Sequence, residues 1–136
     1  MKTVILMRGV SGSGKSNLTN LLTKTRGCVS VSADDYFVDE SGSYNFDASQ
    51  LHLAHADCQI RFLDFLNEST VDVIVVDNTN VNISSIEAYK KLSEKYGAMF
   101  ISLIVENRHG NKSTHNVPDY ILDKQESNIL DCIKLR

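Results

Sequence analysis

The feature that most constrains this chain is an apolar run, Val4 to Met7, that leads directly into Gly9-Val10-Ser11-Gly12-Ser13-Gly14-Lys15-Ser16. A short apolar run followed by glycines reads as a buried strand ending in a tight loop. Gly9, Gly12 and Gly14 let the backbone turn where a Cβ would block it, so that successive N–H groups converge on one anion. A helical stretch follows, and its first turn adds unpaired N–H groups and the positive end of the helix dipole. The spacing is G-x-x-x-x-G-K-[ST] at every fixed position, in the order strand, loop, helix that defines a phosphate-binding P-loop. A chance Gly/Ser turn has no reason to place a Lys-Ser pair at a helix start just after a buried strand. Gly9, Ser11, Gly12, Ser13, Gly14, Lys15, Ser16 and Asn17 are therefore expected to hold a nucleoside triphosphate. Lys15 is expected to reach the β- and γ-phosphates, and the Ser16 hydroxyl to ligate Mg²⁺.

The rest of the chain sets the frame for that loop. Its 136 residues suffice for one core, and residues 1–136 read as a single domain. The net charge of −3 and the scattered lysines and arginines give no basic stripe for tracking long nucleic acid. An enzyme gripping only the end of a strand does not need one. No apolar run approaches a membrane span, and the amino-terminal segment reads as a strand, not a signal peptide. Cys28, Cys58 and Cys132 are odd in number and scattered, which fits reduced thiols used as small apolar fillers and a cytoplasmic location.

Periodicity predicts alternating strands and helices. Leu18, Leu21 and Leu22 form the stripe of a first helix ending near Arg26-Gly27. Residues 28–32 read as a second strand, with Ala33-Asp34-Asp35-Tyr36-Phe37 just beyond it and a polar loop over 38–47. Leu51, His55, Cys58, Phe62 and Phe65 mark a helix from Ala48 to about Asn67, with His55 a structural histidine. The run 71–77 is nearly all apolar, as a central parallel strand should be. Ser84 and Glu87 suggest a capping box for a helix to about Gly97. Residues 99–105 form a fourth strand. A polar, basic loop over 106–116 precedes a last helix opened by Val117-Pro118, with Ile121, Leu122, Ile129, Leu130 and Ile133 on its apolar face. This alternation implies an α/β fold with a parallel sheet. Right-handed crossovers then bring the P-loop, Asp34, Asp77 and the 106–116 loop to one edge.

Those positions carry chemistry. Transfer of a phosphoryl group to an alcohol needs a carboxylate to orient or deprotonate the hydroxyl. Asp34 is the candidate, with Asp35 beside it on the acceptor side. Asp77 ends its strand as a Walker B aspartate does, holding Mg²⁺ directly or through water, or capping the Asp-Asn-Thr-Asn turn. Asn78, Thr79 and Asn80 suit turn chemistry better than substrate reading, although Asn80 stands close enough to count as a substrate candidate. Arg108, His109, Lys112 and His115 crowd a loop placed to act as a lid over about 106–117, with Arg108 and Lys112 offsetting charge on the transferred group.

Together these residues resemble the P-loop kinases of the polynucleotide 5′-hydroxyl kinase group, over almost the whole chain. The resemblance rests on Gly9–Ser16, Asp34-Asp35-Tyr36, Val75–Asn80 and Arg108 through Val117-Pro118. The Ala54-His55 pair and the Asp77–Asn80 run are closest to a branch of small ATP-binding proteins and nucleic-acid-end kinases that carries the general name AAA domain. The resemblance implies a three-layer P-loop fold with a four-stranded parallel sheet in the order 2-3-1-4, ATP and Mg²⁺ as cofactors, and Asp34 as general base. It places the lid's phosphate contact on Lys112, with Arg108 at the lid's start, where bacteriophage members carry arginines. Those enzymes follow Asp-Asp-Tyr with an arginine for the acceptor's phosphate. Here the residue is Phe37, which cannot bind phosphate ionically but is suited to stack on a base.

Three functions follow as expectations. The first is transfer of the γ-phosphate of ATP to the 5′-OH of a DNA or RNA end. The second is the same chemistry on a nucleoside, a small metabolite or a hydroxymethylated DNA base, which Phe37 and the acidic charge favour. The third is an ATP-binding switch without transfer.

Overall fold

The computed structural model describes residues 1–112 and 115–136. Ser113 and Thr114, inside the expected lid, lie outside the described residues. The elements run β1 (Thr3–Arg8), α1 (Lys15–Leu22), β2 (Cys28–Val31), α2 (Leu51–Leu66), β3 (Val73–Asp77), α3 (Ile83–Lys95), β4 (Met99–Ile104) and α4 (Asp119–Leu130). A 3₁₀ turn, Ala33–Phe37, follows β2, and another, Ala48–Gln50, leads into α2. The four strands form one parallel sheet in the order β2-β3-β1-β4, as expected. No described helix is long and apolar enough to cross a membrane.

Parallel strands covered on both faces need apolar residues on both, and the central strands have them. Val4 and Leu6 of β1 pair with Ile74 and Val76 of β3, and all four are fully buried. They meet Ala54, Cys58, Phe62 and Leu66 of α2 and Tyr89 of α3 in the main core. Met7 and Val75, also fully buried, lie on the opposite face by the two-residue alternation of a strand, and Asp77 shares that face.

Several local expectations change. Helix α1 stops at Leu22, short of Gly27, because Thr23 turns its hydroxyl back to the Thr19 carbonyl (3.0 Å) and the chain closes tight turns at Leu22 and Thr25. Gly27 then takes φ +81°, against the Asp72 side chain, where a Cβ would come within 2.5 Å of a carboxylate oxygen. Leu21 is exposed, and the inward positions of α1 are Lys15 and Thr19. The buried stripe of α2 is Ala54-Cys58-Phe62-Leu66, at strict four-residue spacing, which leaves Leu51 and His55 outside it and exposed. The Ser84–Glu87 capping box does not form. Helix α3 begins two residues earlier, with Asn82 at the cap and its carbonyl accepting the Ser85 and Ile86 amides. Pro118 takes the cap position of α4, and Ile133 lies beyond its end.

Phe62 is fully buried and meets Tyr89 edge-on, with ring centroids 5.1 Å apart. Phe62→Ala should cost about 3–5 kcal/mol of stability. Urea denaturation is the check, with a lower midpoint at an unchanged slope as the expected result.

Candidate active site

The site is built at the carboxyl edge of the sheet, where β1 and β3 end side by side. Met7 pairs with Asp77, and two residues further on the Gly9 amide donates to the Thr79 carbonyl (3.0 Å). The loop then climbs through Gly12 (φ +84°) and Gly14 (φ +107°), conformations closed to most side chains. A Cβ at Gly9 would come within 2.6 Å of Ser13 Oγ and 2.7 Å of the Val105 carbonyl, so only glycine fits there.

Lys15, 8% exposed, folds its ammonium back over the start of this loop and donates to the Gly9 (2.9 Å) and Val10 (2.8 Å) carbonyls. Ser16 Oγ donates to Asp77 Oδ2 at 3.0 Å. Loss of water lowers the Lys15 pKa despite the attraction of Asp77 and Asp34. Loss of water likewise raises that of Asp77, against the Ser16 hydrogen bond and the Lys15 charge. Both charges are thus held at a cost.

The turn that carries Asp34 is braced from several directions. The Ala33 amide donates to Asn78 Oδ1 (2.8 Å), and Ser32 Oγ accepts the Asp34 amide (3.2 Å). Asp34 accepts from the Tyr44 phenol (3.1 Å), and His115 Nε2 lies 3.8 Å from its other oxygen. Asp34, Asp77, Lys15 and Ser16 line one cavity of about 230 Å³, together with Lys112 and Asn17.

The neighbouring Asp35 plays another part. Arg61 binds it at 3.1 Å while holding Asp57 and the Ser32 carbonyl, so Asp35 anchors α2 to the turn instead of facing substrate. Phe37 is 5% exposed and sits in the core, so it has no open face on which a base can stack. Asn80 is also buried. It adopts φ +47°, donates to the Met7 carbonyl (2.8 Å) and accepts from Arg8 Nε (3.1 Å), which makes it a structural clamp and not a substrate contact.

The 106–117 loop divides its residues. Lys112 reaches the cavity, but Arg108 turns to Glu106, outside it. His109 Nδ1 accepts the Asn111 amide (2.9 Å), which leaves Nε2–H to donate to the Ser13 carbonyl (3.0 Å). It is therefore a neutral pin on the P-loop, not a lid cation. Gln125 of α4 accepts the Ser11 amide (3.0 Å). Tyr44, Arg61, Asn78 and Gln125 escaped the sequence reading as site residues. The Asp-Asn-Thr-Asn run drew attention to Asn78, whereas the other three lie far from the motifs in sequence.

With this geometry in view, residues 4–111 match the AAA domain family. The chain belongs to that family. Human NEDD4-binding protein 2 is 37% identical over 94 residues, 68% of this chain, although this AAA domain spans only 5% of that protein's length. Among solved structures, the Pnkp1/Rnl/Hen1 RNA repair complex aligns with TM-score 0.72 and 15% identity, over 96% of this chain and 44% of the other. A gluconokinase from Sinorhizobium meliloti 1021 aligns with TM-score 0.54 and 20% identity, over 93% and 74%. The APS kinase CysC of Mycobacterium tuberculosis, in complex with AMPPNP and APS, aligns with TM-score 0.52 and 17% identity, over 77% and 62%. At these identities the likeness to the solved structures is one of fold. This AAA domain shares its fold with that gluconokinase and that APS kinase.

The donors in the site suit a magnesium nucleotide. Glycine conformations open the cradle, and Ser16 with Asp77 supplies two hard oxygens. Among the described residues no three His, Cys, Asp or Glu side chains form a metal cage. Mg²⁺ is commonly held this way, by one or two protein oxygens with phosphate and water completing the shell. A second cleft of about 990 Å³ adjoins this cavity between the 106–117 loop and α4, walled by Val10, Val105, Val117, Leu122 and Ile129.

The raised Asp77 pKa has a consequence for stability. A carboxyl group with a folded-state pKa above its unfolded one stabilises the fold at low pH and loses that contribution as pH rises through the folded value. Asp77→Asn should therefore melt higher than wild type near neutral pH. The gain should vanish below the ordinary carboxylate pKa of about 3.9. Thermal melts across that range provide the measurement.

Proposed function

We propose that this AAA domain is an ATP- and Mg²⁺-dependent phosphotransferase acting on a hydroxyl, with the 5′-OH of a nucleic-acid end as acceptor. The observation that carries the reading is the single cavity shared by Lys15, Ser16 and Asp77 with Asp34. The first three suit the donor's phosphates, and the fourth suits the acceptor. The larger apolar cleft beside Val10 and Ser11 suits the donor's nucleoside.

In this mechanism the P-loop amides and Lys15 bind the phosphates. Ser16 and Asp77 would hold Mg²⁺, which would supply charge neutralisation to the transferring group. Asp34 orients the acceptor hydroxyl and takes its proton as the new O–P bond forms. The bond from the γ-phosphorus to the bridging oxygen breaks, and its electron pair leaves with ADP. Lys112, already at the cavity, is the loop cation placed to offset charge spreading over the phosphoryl oxygens. Arg108 would have to leave Glu106 to join it. That exposed pair is a weak restraint.

The likeness in fold to the RNA repair complex supports a nucleic-acid acceptor. One observation favours a second reading, a free nucleoside or small metabolite. Asp34 and the segment after it, with Asp39, Glu40 and Asp47, carry negative charge that repels a phosphate backbone.

Transfer from γ-labelled ATP tests the reaction, with a 5′-OH oligonucleotide, a nucleoside and a sugar offered separately. Asp34→Ala should lower kcat by about 10²–10⁴-fold, with the KM for ATP little changed, and chelation should abolish transfer. Slow ATP turnover that no acceptor stimulates would instead support the switch. Full activity in Asp34→Ala would remove it as the base.

A further inference from the structure

The segment between β2 and α2, expected to be a plain polar loop, is a built hairpin. Asp39 Oδ1 accepts the Ser41 and Ser43 amides (both 2.9 Å), and its other oxygen accepts from the Asn45 side chain (3.1 Å). Gly42 makes the turn at φ +84°, Val38 bridges to Tyr44, and the Asn45 amide returns to the Phe37 carbonyl (2.8 Å). Buried Phe37 anchors the hairpin from below, meeting Tyr36, Tyr44 and Phe46 edge-on at 5.4, 6.2 and 5.1 Å.

This frame presents two rings in one orientation. Tyr44 and Phe46 lie 19° from parallel, 6.4 Å apart, and remain 37% and 54% exposed. Tyr44 also stands against His115, with ring centroids 4.5 Å apart, and donates its phenol to Asp34. An exposed aromatic pair is thereby fixed beside the carboxylate assigned to the acceptor hydroxyl. Burial and the Asp34 charge push the Tyr44 pKa up to about 12, so the phenol stays a donor throughout the neutral range.

We infer that Tyr44 and Phe46 form the platform on which the acceptor's planar ring lies, and that this ring is the uncharged base of a nucleoside moiety bearing a free 5′-OH. The inference rests on Asp34 being the acceptor-side base. Aromatic faces hold nucleobases by stacking, with little regard to base identity. Asp39, Glu40 and Asp47 belong to the same segment as the rings, and their negative charge disfavours a phosphate there, which assigns the uncharged end of the acceptor to this platform. A free nucleoside and the terminal nucleoside of a 5′-OH strand share that chemistry. The Tyr44 phenol holds Asp34 Oδ1, with His115 Nε2 3.8 Å from Oδ2, which makes Tyr44 a positioning residue as well.

The experiment has two readouts on the same proteins. Phosphoryl transfer is measured with a free nucleoside, a 5′-OH oligonucleotide and ribose, for wild type, Tyr44→Leu, Phe46→Leu and Tyr44→Phe. Nucleoside binding is followed by NMR of labelled Tyr and Phe rings. The leucine variants should raise the KM for both ring-bearing acceptors about tenfold or more, with the KM for ATP within about twofold. Tyr44→Phe should keep that KM and lower kcat. The better of the two ring-bearing acceptors identifies the source of the nucleoside. An unchanged KM in both leucine variants, or ribose used as efficiently as the nucleoside, overturns the platform. Ring shifts at Tyr44 and Phe46 without transfer to any acceptor keep the platform and overturn the transferase reading. Transfer without ring shifts does the reverse, and the absence of both removes both.

Discussion

Everything at the site depends on the parallel pairing of β1 with β3. Met7 opposite Asp77 is the last rung, and the Gly9–Thr79 hydrogen bond prolongs the pairing past the ends of both strands. A slip of one residue would turn Asp77 to the face where Val76 now packs. The fully buried quartet Val4, Leu6, Ile74 and Val76 fixes the register, so packing in the core decides where the Asp77 carboxylate stands. Asn80 locks the same arrangement from above. Its side chain donates to Met7 on one strand while its carbonyl receives Arg8, and it accepts a left-handed backbone to do so.

The same edge carries charges that the fold alone does not want. Lys15 and Asp77 each lose water, and neither makes a contact ion pair with the other. Their hydrogen bonds go to the Gly9 and Val10 carbonyls and to Ser16. A pair held apart in this way suits a polyanion with a divalent cation between them, because each partner then gains its counter-charge on binding. The site is destabilising for the free protein for the reason that makes it receptive, the usual relation between stability and function.

How far the sequence disclosed this structure depended on whether a residue's role was local. The P-loop was legible because its geometry is imposed by glycines within eight positions. The central strands were legible because parallel strands buried on both faces need continuous apolar runs. Phe37 misled, because its neighbours in the motif suggested a surface, whereas its fate was settled by α2, which buries the residue after Tyr36 beneath the hairpin. Asp35 misled for a similar reason, since its partner Arg61 lies on α2, 26 positions away. Ser84 and Glu87 had the spacing of a capping box, but Asn82 started the helix two residues sooner. Tyr44 gave no signal at all. Its importance lies in a hairpin made by Asp39 and Gly42, whose turn chemistry was visible but whose direction in space was not.

The 106–117 loop is best understood through its two histidines rather than its cations. His109 touches the donor half of the site through the Ser13 carbonyl. His115 touches the acceptor half through Tyr44 and Asp34. Lys112 lies between them in sequence and lines the shared cavity. Charge on the loop is then only part of its role, since the neutral His109 contact sets where that charge can act.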